Sequence, residues 1–115
     1  MKKTKVLLAG LLLSGIISSP VFAADPIEGT WKTEDGVLLG ISSCGGQFCV
    51  DILNGEFEGK RSGKMQKDGD GYTGKLRQYS TGLTFTGEAS ISGSTMKLAA
   101  KKFGVVVRRA TWKKQ

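Results

Sequence analysis

Val37-Leu38-Leu39-Gly40-Ile41-Ser42-Ser43-Cys44-Gly45-Gly46-Gln47-Phe48-Cys49-Val50-Asp51-Ile52-Leu53 decides the fold. Val37, Leu39 and Ile41 alternate with Leu38, Gly40 and Ser42. After the glycines, Phe48, Val50 and Ile52 alternate with Cys49, Asp51 and Leu53. Strict alternation is the signature of a strand with one buried face, and a glycine-centred break between two such runs is a hairpin. If Leu39, Ile41, Val50 and Ile52 face inward, Cys44 and Cys49 both face outward. A four-residue loop, Gly45 to Phe48, sets the two cysteines directly opposite each other. A tight Gly45-Gly46 turn makes them diagonal neighbours, roughly 7 Å apart at the backbone. The wider loop is the expected one.

The same period runs on. Ile27, Gly29 and Trp31 form one inward set. Leu83, Phe85, Gly87, Ala89 and Ile91 form another, and Met96, Leu98 and Ala100 a third. Glu34-Asp35-Gly36, Lys67-Asp68-Gly69-Asp70-Gly71, Ser80-Thr81-Gly82 and Ser92-Gly93-Ser94 supply turn chemistry between them. No convincing helical stripe occurs after residue 24. About eight strands are expected, at 27–33, 36–43, 48–54, 56–66, 71–79, 83–91, 95–101 and 104–113. Short connections make successive strands antiparallel, and closure into a small up-and-down barrel removes the edges. Phe57-Glu58-Gly59-Lys60, Tyr72-Thr73-Gly74-Lys75 and Phe85-Thr86-Gly87-Glu88 share an aromatic-x-Gly-charged pattern. It places a ring and a bend-permitting glycine on one face of a strand.

Lys2, Lys3 and Lys5 precede an apolar run from Val6 to Ile17, and Val21-Phe22-Ala23 fits a small-x-small cleavage rule. This reads as a secretory signal peptide over 1–23, cleaved after Ala23, leaving one β-barrel domain at 24–115. The apolar run is short for a membrane span. The full chain of 115 residues has 17 Lys and Arg, 10 Asp and Glu, and a net charge of +7. Removing the leader removes three lysines and no acid, which leaves +4. A periplasmic or secreted monomer is expected, with no integral membrane span. In that oxidising setting Cys44 and Cys49 should be bridged.

The chemistry-bearing groups are few. There is no His, which removes the usual neutral-pH acid/base and the commonest metal ligand. Two cysteines cannot complete a four-cysteine zinc site. Gly69-x4-Gly74-Lys75 mimics a phosphate loop, but Leu76 stands where Ser or Thr is required. Asp68-x-Asp70-Gly71 begins like a calcium loop without its bidentate carboxylate. Glu34 with Asp35, and Glu56 with Glu58, sit in glycine-rich surface stretches that give no reason for a raised pKa. No enzyme activity, cofactor, metal or nucleic-acid partner is expected. Lys60, Arg61, Lys64 and Lys67 form a basic cluster that could grip an anion; Lys101-Lys102, Arg108-Arg109 and Lys113-Lys114 are further basic pairs.

Gly29-Thr30-Trp31-Lys32-Thr33 with Asp35-Gly36, the Ile41–Cys49 hairpin, Tyr72-Thr73-Gly74-Lys75 and the closing Ala110-Thr111-Trp112-Lys113 resemble the signatures of a bacterial family. That family, domain of unknown function 2147, comprises small exported proteins. The resemblance covers nearly all of 27–113 and implies a lipocalin-like barrel. The chain departs from it after Cys49, where a second Gly is usual, and in a shorter stretch before Tyr72. Gly-x-Trp on the first strand also resembles the wider lipocalin superfamily. There Trp31 would close one end of the barrel, with a last-strand cation, Arg108 or Arg109, over its ring and Trp112 on the same wall. The family has no established activity, so the resemblance carries fold and location and leaves function open; the first expectation is a non-enzymatic envelope protein that binds a small apolar or envelope-derived ligand. The alternative is an inhibitor or interaction module for a secreted enzyme. An empty interior favours the first and a displayed Gln47-Phe48 the second. By parity Ile27, Trp31, Val37, Leu39, Ile41, Val50, Ile52, Tyr72, Leu76, Leu83, Phe85, Ile91, Met96, Leu98 and Trp112 fill the lumen. No enclosed cavity near the roughly 300 Å³ of a drug-sized site is therefore expected.

Overall fold

The computed structural model describes residues 24–115; the leader predicted at 1–23 lies outside the described residues. Eight strands follow in order: β1 Gly29–Lys32, β2 Leu38–Cys44, β3 Gln47–Ile52, β4 Arg61–Asp68, β5 Gly71–Gln78, β6 Leu83–Ser92, β7 Thr95–Lys102 and β8 Val105–Lys114. Each pairs antiparallel with the next, and β1 pairs with β8 to close the barrel. The alternation read from the sequence is the physical cause. Every second residue faces a shared interior, and closure gives each strand two neighbours.

Ile27, Trp31, Leu39, Ile41, Val50, Ile52, Met65, Tyr72, Leu76, Ala89, Met96, Leu98 and Trp112 form the buried core. Met65 belongs to it although parity did not single it out, because β4 starts later than expected. Residues 53–60 form turns instead of strand: the Glu58 N–H donates to the Gly55 carbonyl and the Lys60 N–H to the Phe57 carbonyl. The aromatic-x-Gly pattern therefore lies on strands at Tyr72 and Phe85 but not at Phe57. At Gly74 the pattern has a steric reason, since a Cβ there would collide with the Lys64 carbonyl oxygen of β4. Leu83, expected inside, is more than a third exposed at the start of β6.

The disulfide Cys44–Cys49 is formed, with its Cα atoms 5.8 Å apart. The loop is the tight one. Cys44 pairs with Gln47 and Ser42 with Cys49, so the cysteines are diagonal. Gly45 and Gly46 have φ of 62° and 84°, the two positive values that a two-residue type I′ turn requires. The strong right-handed twist of such a hairpin shortens the diagonal and makes the bridge reachable.

The two ends of the barrel differ. The chain start, the 45–46, 69–70 and 93–94 turns and the end of β8 share one end. The 33–37, 53–60, 79–82 and 103–104 connections share the other. β1 contributes only two pairs to β8, Trp31 with Lys114 and Lys32 with Lys113. The Gln115 N–H adds a bond to the Thr30 carbonyl. From Val105 to Thr111, β8 is paired to β7 alone, and the wall is open along that side.

Candidate functional site

At the first end the barrel is plugged. Trp31 is fully buried, and its Nε1–H donates to the Ile27 carbonyl at 2.8 Å. Lys114 lies over the Trp31 ring, 5.4 Å from its centroid, and its Nζ donates to the Pro26 carbonyl at 3.1 Å. A cation from the last strand therefore does cover this tryptophan, and it is Lys114. Arg108 and Arg109 sit six and five residues back along β8, roughly 17–20 Å away at about 3.4 Å per residue. The short β1 decides this, because it places Lys114 opposite Trp31.

Beside the plug, the Tyr72 hydroxyl donates to Asp25 Oδ1, the Ile27 N–H donates to the same oxygen at 3.2 Å, and Lys67 Nζ lies 3.5 Å from Oδ2. Burial raises the Asp25 pKa, but Tyr72, the Ile27 N–H and Lys67 together outweigh it and hold the carboxyl below its ordinary 3.8. Burial first, then the hydrogen bond to Asp25 and its charge, push the Tyr72 phenol up to about 12. Phe48 packs edge-on against Tyr72, with centroids 5.9 Å apart, so it belongs to this packed end.

The opposite end holds a cavity of about 230 Å³. Val37, Leu39, Ile52, Leu76, Phe85, Leu98, Ala100 and Trp112 line its wall and floor. Its rim carries Glu34, Asp35, Glu56, Arg77, Val107, Arg108 and Arg109. Phe57 and Tyr79 stack at the mouth with centroids 5.6 Å apart, and the Tyr79 hydroxyl donates to the Arg61 carbonyl at 3.0 Å. Asn54 ties the rim together: its Oδ1 accepts from the Leu38 N–H at 2.8 Å and its Nδ2 donates to the Gly36 carbonyl. The lumen is mostly filled, as parity implied, but not to the top. Short β1 leaves Val105 to Thr111 of β8 without a partner on that side, so the wall around the cavity is incomplete. A wider depression of about 580 Å³ lies on the outer surface of β6 to β8 and lacks such an apolar lining; Glu34, Glu88, Lys97 and Arg109 line it.

Trp112 faces the cavity, while Arg108 and Arg109 stand at its mouth. Arg108 pairs with inward Ala100, and Arg109 with outward Ala99. The cluster of Lys60, Arg61, Lys64 and Lys67 does not converge. Arg61 is paired with Asp51, Lys67 is at the plugged end with Asp25, and Lys60 lies 5.9 Å from the Tyr79 ring centroid. Lys64 is exposed, with Lys75 as its partner on β5. A spacing of three gathers residues on a helix but sends them to opposite faces of a strand. Lys114 and Asp25 were missed by sequence reasoning; their roles depend on where β1 begins and ends, which alternation does not mark. No protein-family model, characterised protein or solved structure matches the chain.

Proposed function

We propose that this is a non-enzymatic binding protein of the cell envelope that takes one small apolar or amphipathic molecule end-on into the open half of its barrel. The cavity carries the reading. Its volume exceeds the roughly 150 Å³ that accommodates benzene and falls short of the roughly 300 Å³ of a drug-sized pocket. A single ring system or a short acyl chain fits; a long-chain lipid does not fit within it. The wall is apolar, and the mixed charges at the rim can hold a polar head. Export of the chain, read from residues 1–23, supplies the location. The alternative, an inhibitor acting through Gln47-Phe48, loses its support because Phe48 packs on Tyr72.

The test is calorimetric titration of residues 24–115 with octanol, indole and a fluorescent long-chain fatty acid. Octanol or indole should bind one per barrel and change the fluorescence of cavity-lining Trp112, with micromolar-to-millimolar affinity as suits so few atoms. The long-chain probe should show no sub-micromolar site. Absence of saturable binding by both small probes overturns the reading.

A further inference from the structure

Phe103 is 95% exposed at the tip of the β7–β8 hairpin, and Val105 and Val107 beside it are 62% and 54% exposed. Phe103 also holds φ of 52°, the one positive value at a non-glycine residue among the described residues. A bulky side chain in that region is strained, and the position would suit Gly or Asn better. A large apolar ring displayed to water on a strained backbone is costly twice over, and such features mark functional surfaces.

The β7–β8 hairpin itself carries charge of one sign only. From Ala89 to Gln115 the chain has seven Lys and Arg and no acid. Lys101 pairs with Glu88 of β6, and Lys102 donates to the Thr84 carbonyl while lying 5.8 Å from the Phe103 centroid. Arg108 and Arg109 are exposed and have no carboxylate within 4 Å among the described residues. Of the acids at the same end, Glu34 shares the outer depression with Arg109 without forming an ion pair to it, and Glu56 belongs to the β3–β4 connection, across the closed barrel from β8. Apolar groups at a tip, backed by a collar of cations, match the layered chemistry of an anionic bilayer, with hydrocarbon beneath phosphate.

We propose that the β7–β8 hairpin tip docks the barrel on an anionic phospholipid surface. Phe103, Val105 and Val107 enter the interfacial layer, and Arg108 and Arg109 engage headgroups. The barrel lies on the membrane rather than through it. Its outer face carries Lys64, Lys75, Arg77, Glu88 and Lys97 where a lipid-embedded barrel presents an apolar band. An acidic protein strand added to the free edge of β8 would satisfy the backbone there. It would leave Phe103 bare, because the ring lies beyond the last β7–β8 pair, Lys102 with Val105. A bilayer covers both. The cavity mouth adjoins Val107 and Arg108, so the docked barrel would open toward the membrane. Docking stands on the hairpin alone and does not depend on what the cavity holds.

Co-sedimentation of residues 24–115 with vesicles tests this. One set is phosphatidylcholine and the other phosphatidylcholine mixed with phosphatidylglycerol. Wild type should sediment with the mixed vesicles at low salt and only weakly with the neutral ones, and binding should fall as salt rises. Phe103→Asn removes the ring, keeps a residue that tolerates positive φ, and should reduce binding about tenfold without lowering the melting temperature. Arg108→Gln with Arg109→Gln should reduce it by on the order of tenfold or more. Phe103→Trp should show a blue-shifted emission on mixed vesicles. Equal binding to both vesicle types, or full binding by Phe103→Asn, overturns the proposal. So does a wild type that ignores both vesicles and instead binds an extended peptide of alternating Glu and Val. Octanol titration of Phe103→Asn separates this from the cavity reading, since that variant should keep its cavity.

Discussion

The two ends of this barrel are made from the same alternating strands and used in opposite ways. At the plugged end every large side chain has a partner. Trp31 is hydrogen-bonded and covered by Lys114, Tyr72 is bound to Asp25, and Cys44 is bridged to Cys49. At the open end an apolar cavity meets solvent, Phe103 stands free, and β8 runs past its partner with an unpaired edge. Closing a barrel takes only one complete ring of pairing. The second end is then free to spend apolar surface on something other than stability.

The largest contrast should come from two aromatic residues. Trp31→Ala empties the plug and should cost about 3–5 kcal/mol, the range for deleting a buried aromatic. Phe103→Asn should be neutral or slightly stabilising, because it relieves positive φ and removes an exposed ring. Paired denaturant melts measure both; a comparable loss at Phe103 would break the division between the ends.

Next is the disulfide, which belongs to the plugged end. Its loop is short, so Cys44→Ser should cost about 2 kcal/mol. Melting with and without reductant should give the same difference, and thiol titration of the unfolded protein should find no free thiol. Two free thiols per chain would remove this staple from the comparison.

Tyr72→Phe is expected to cost about 1 kcal/mol at neutral pH, since one charge-assisted hydrogen bond is lost at a partly exposed carboxylate. The pH dependence gives the sharper test. The Tyr72 pKa is raised from 10.0 to about 12, so its contribution is full below pH 10 and fades as the pH rises toward 12. The Asp25 pKa is lowered from 3.8, so its contribution is full above that value and is lost as the pH falls through the folded value. The stability gap between wild type and Tyr72→Phe should therefore be flat from about pH 4 to 10 and shrink on both sides. A gap that stays constant to pH 12 would mean that the Asp25 bond is absent in solution.

Much of the barrel was legible because alternation reports directly on which face is buried. The limits have specific causes. Loops of two and four residues both leave Cys44 and Cys49 on one face, so parity could not choose between them. Two positive-φ glycines at Gly45 and Gly46 were the signal that could have chosen. Phe57-Glu58-Gly59 has the same residue types as Tyr72-Thr73-Gly74, but local turn bonds capture it first. The cation over Trp31 depends on β1 ending at Lys32, where the Gly36 N–H turns back to the Thr33 carbonyl. Arg108 and Arg109 were noticed for the wrong end. The absence of any acid after Glu88 would have set the whole β7–β8 hairpin apart as the basic element.

The smallest stability effect belongs to the cavity, and it separates packing from function most cleanly. Ala100 is 7% exposed, lines the cavity and pairs with Arg108 at its upper wall. Ala100→Leu adds three carbons toward an empty space lined by Leu98, Phe85 and Trp112. Filling a void commonly stabilises by about 0.5–2 kcal/mol, whereas crowding a packed site costs about 1–3 kcal/mol. The wall of this end is incomplete, so neighbours can yield, and the net change should lie within about 0.5 kcal/mol. Octanol binding should nevertheless fall at least tenfold, while binding to anionic vesicles through Phe103 is unchanged. If Ala100→Leu destabilises strongly, the open end is as tightly packed as the plugged one, and the cavity cannot be its working feature. If stability and octanol affinity both stay at the wild-type level, the molecule binds elsewhere, and the rim rather than the lumen becomes the site.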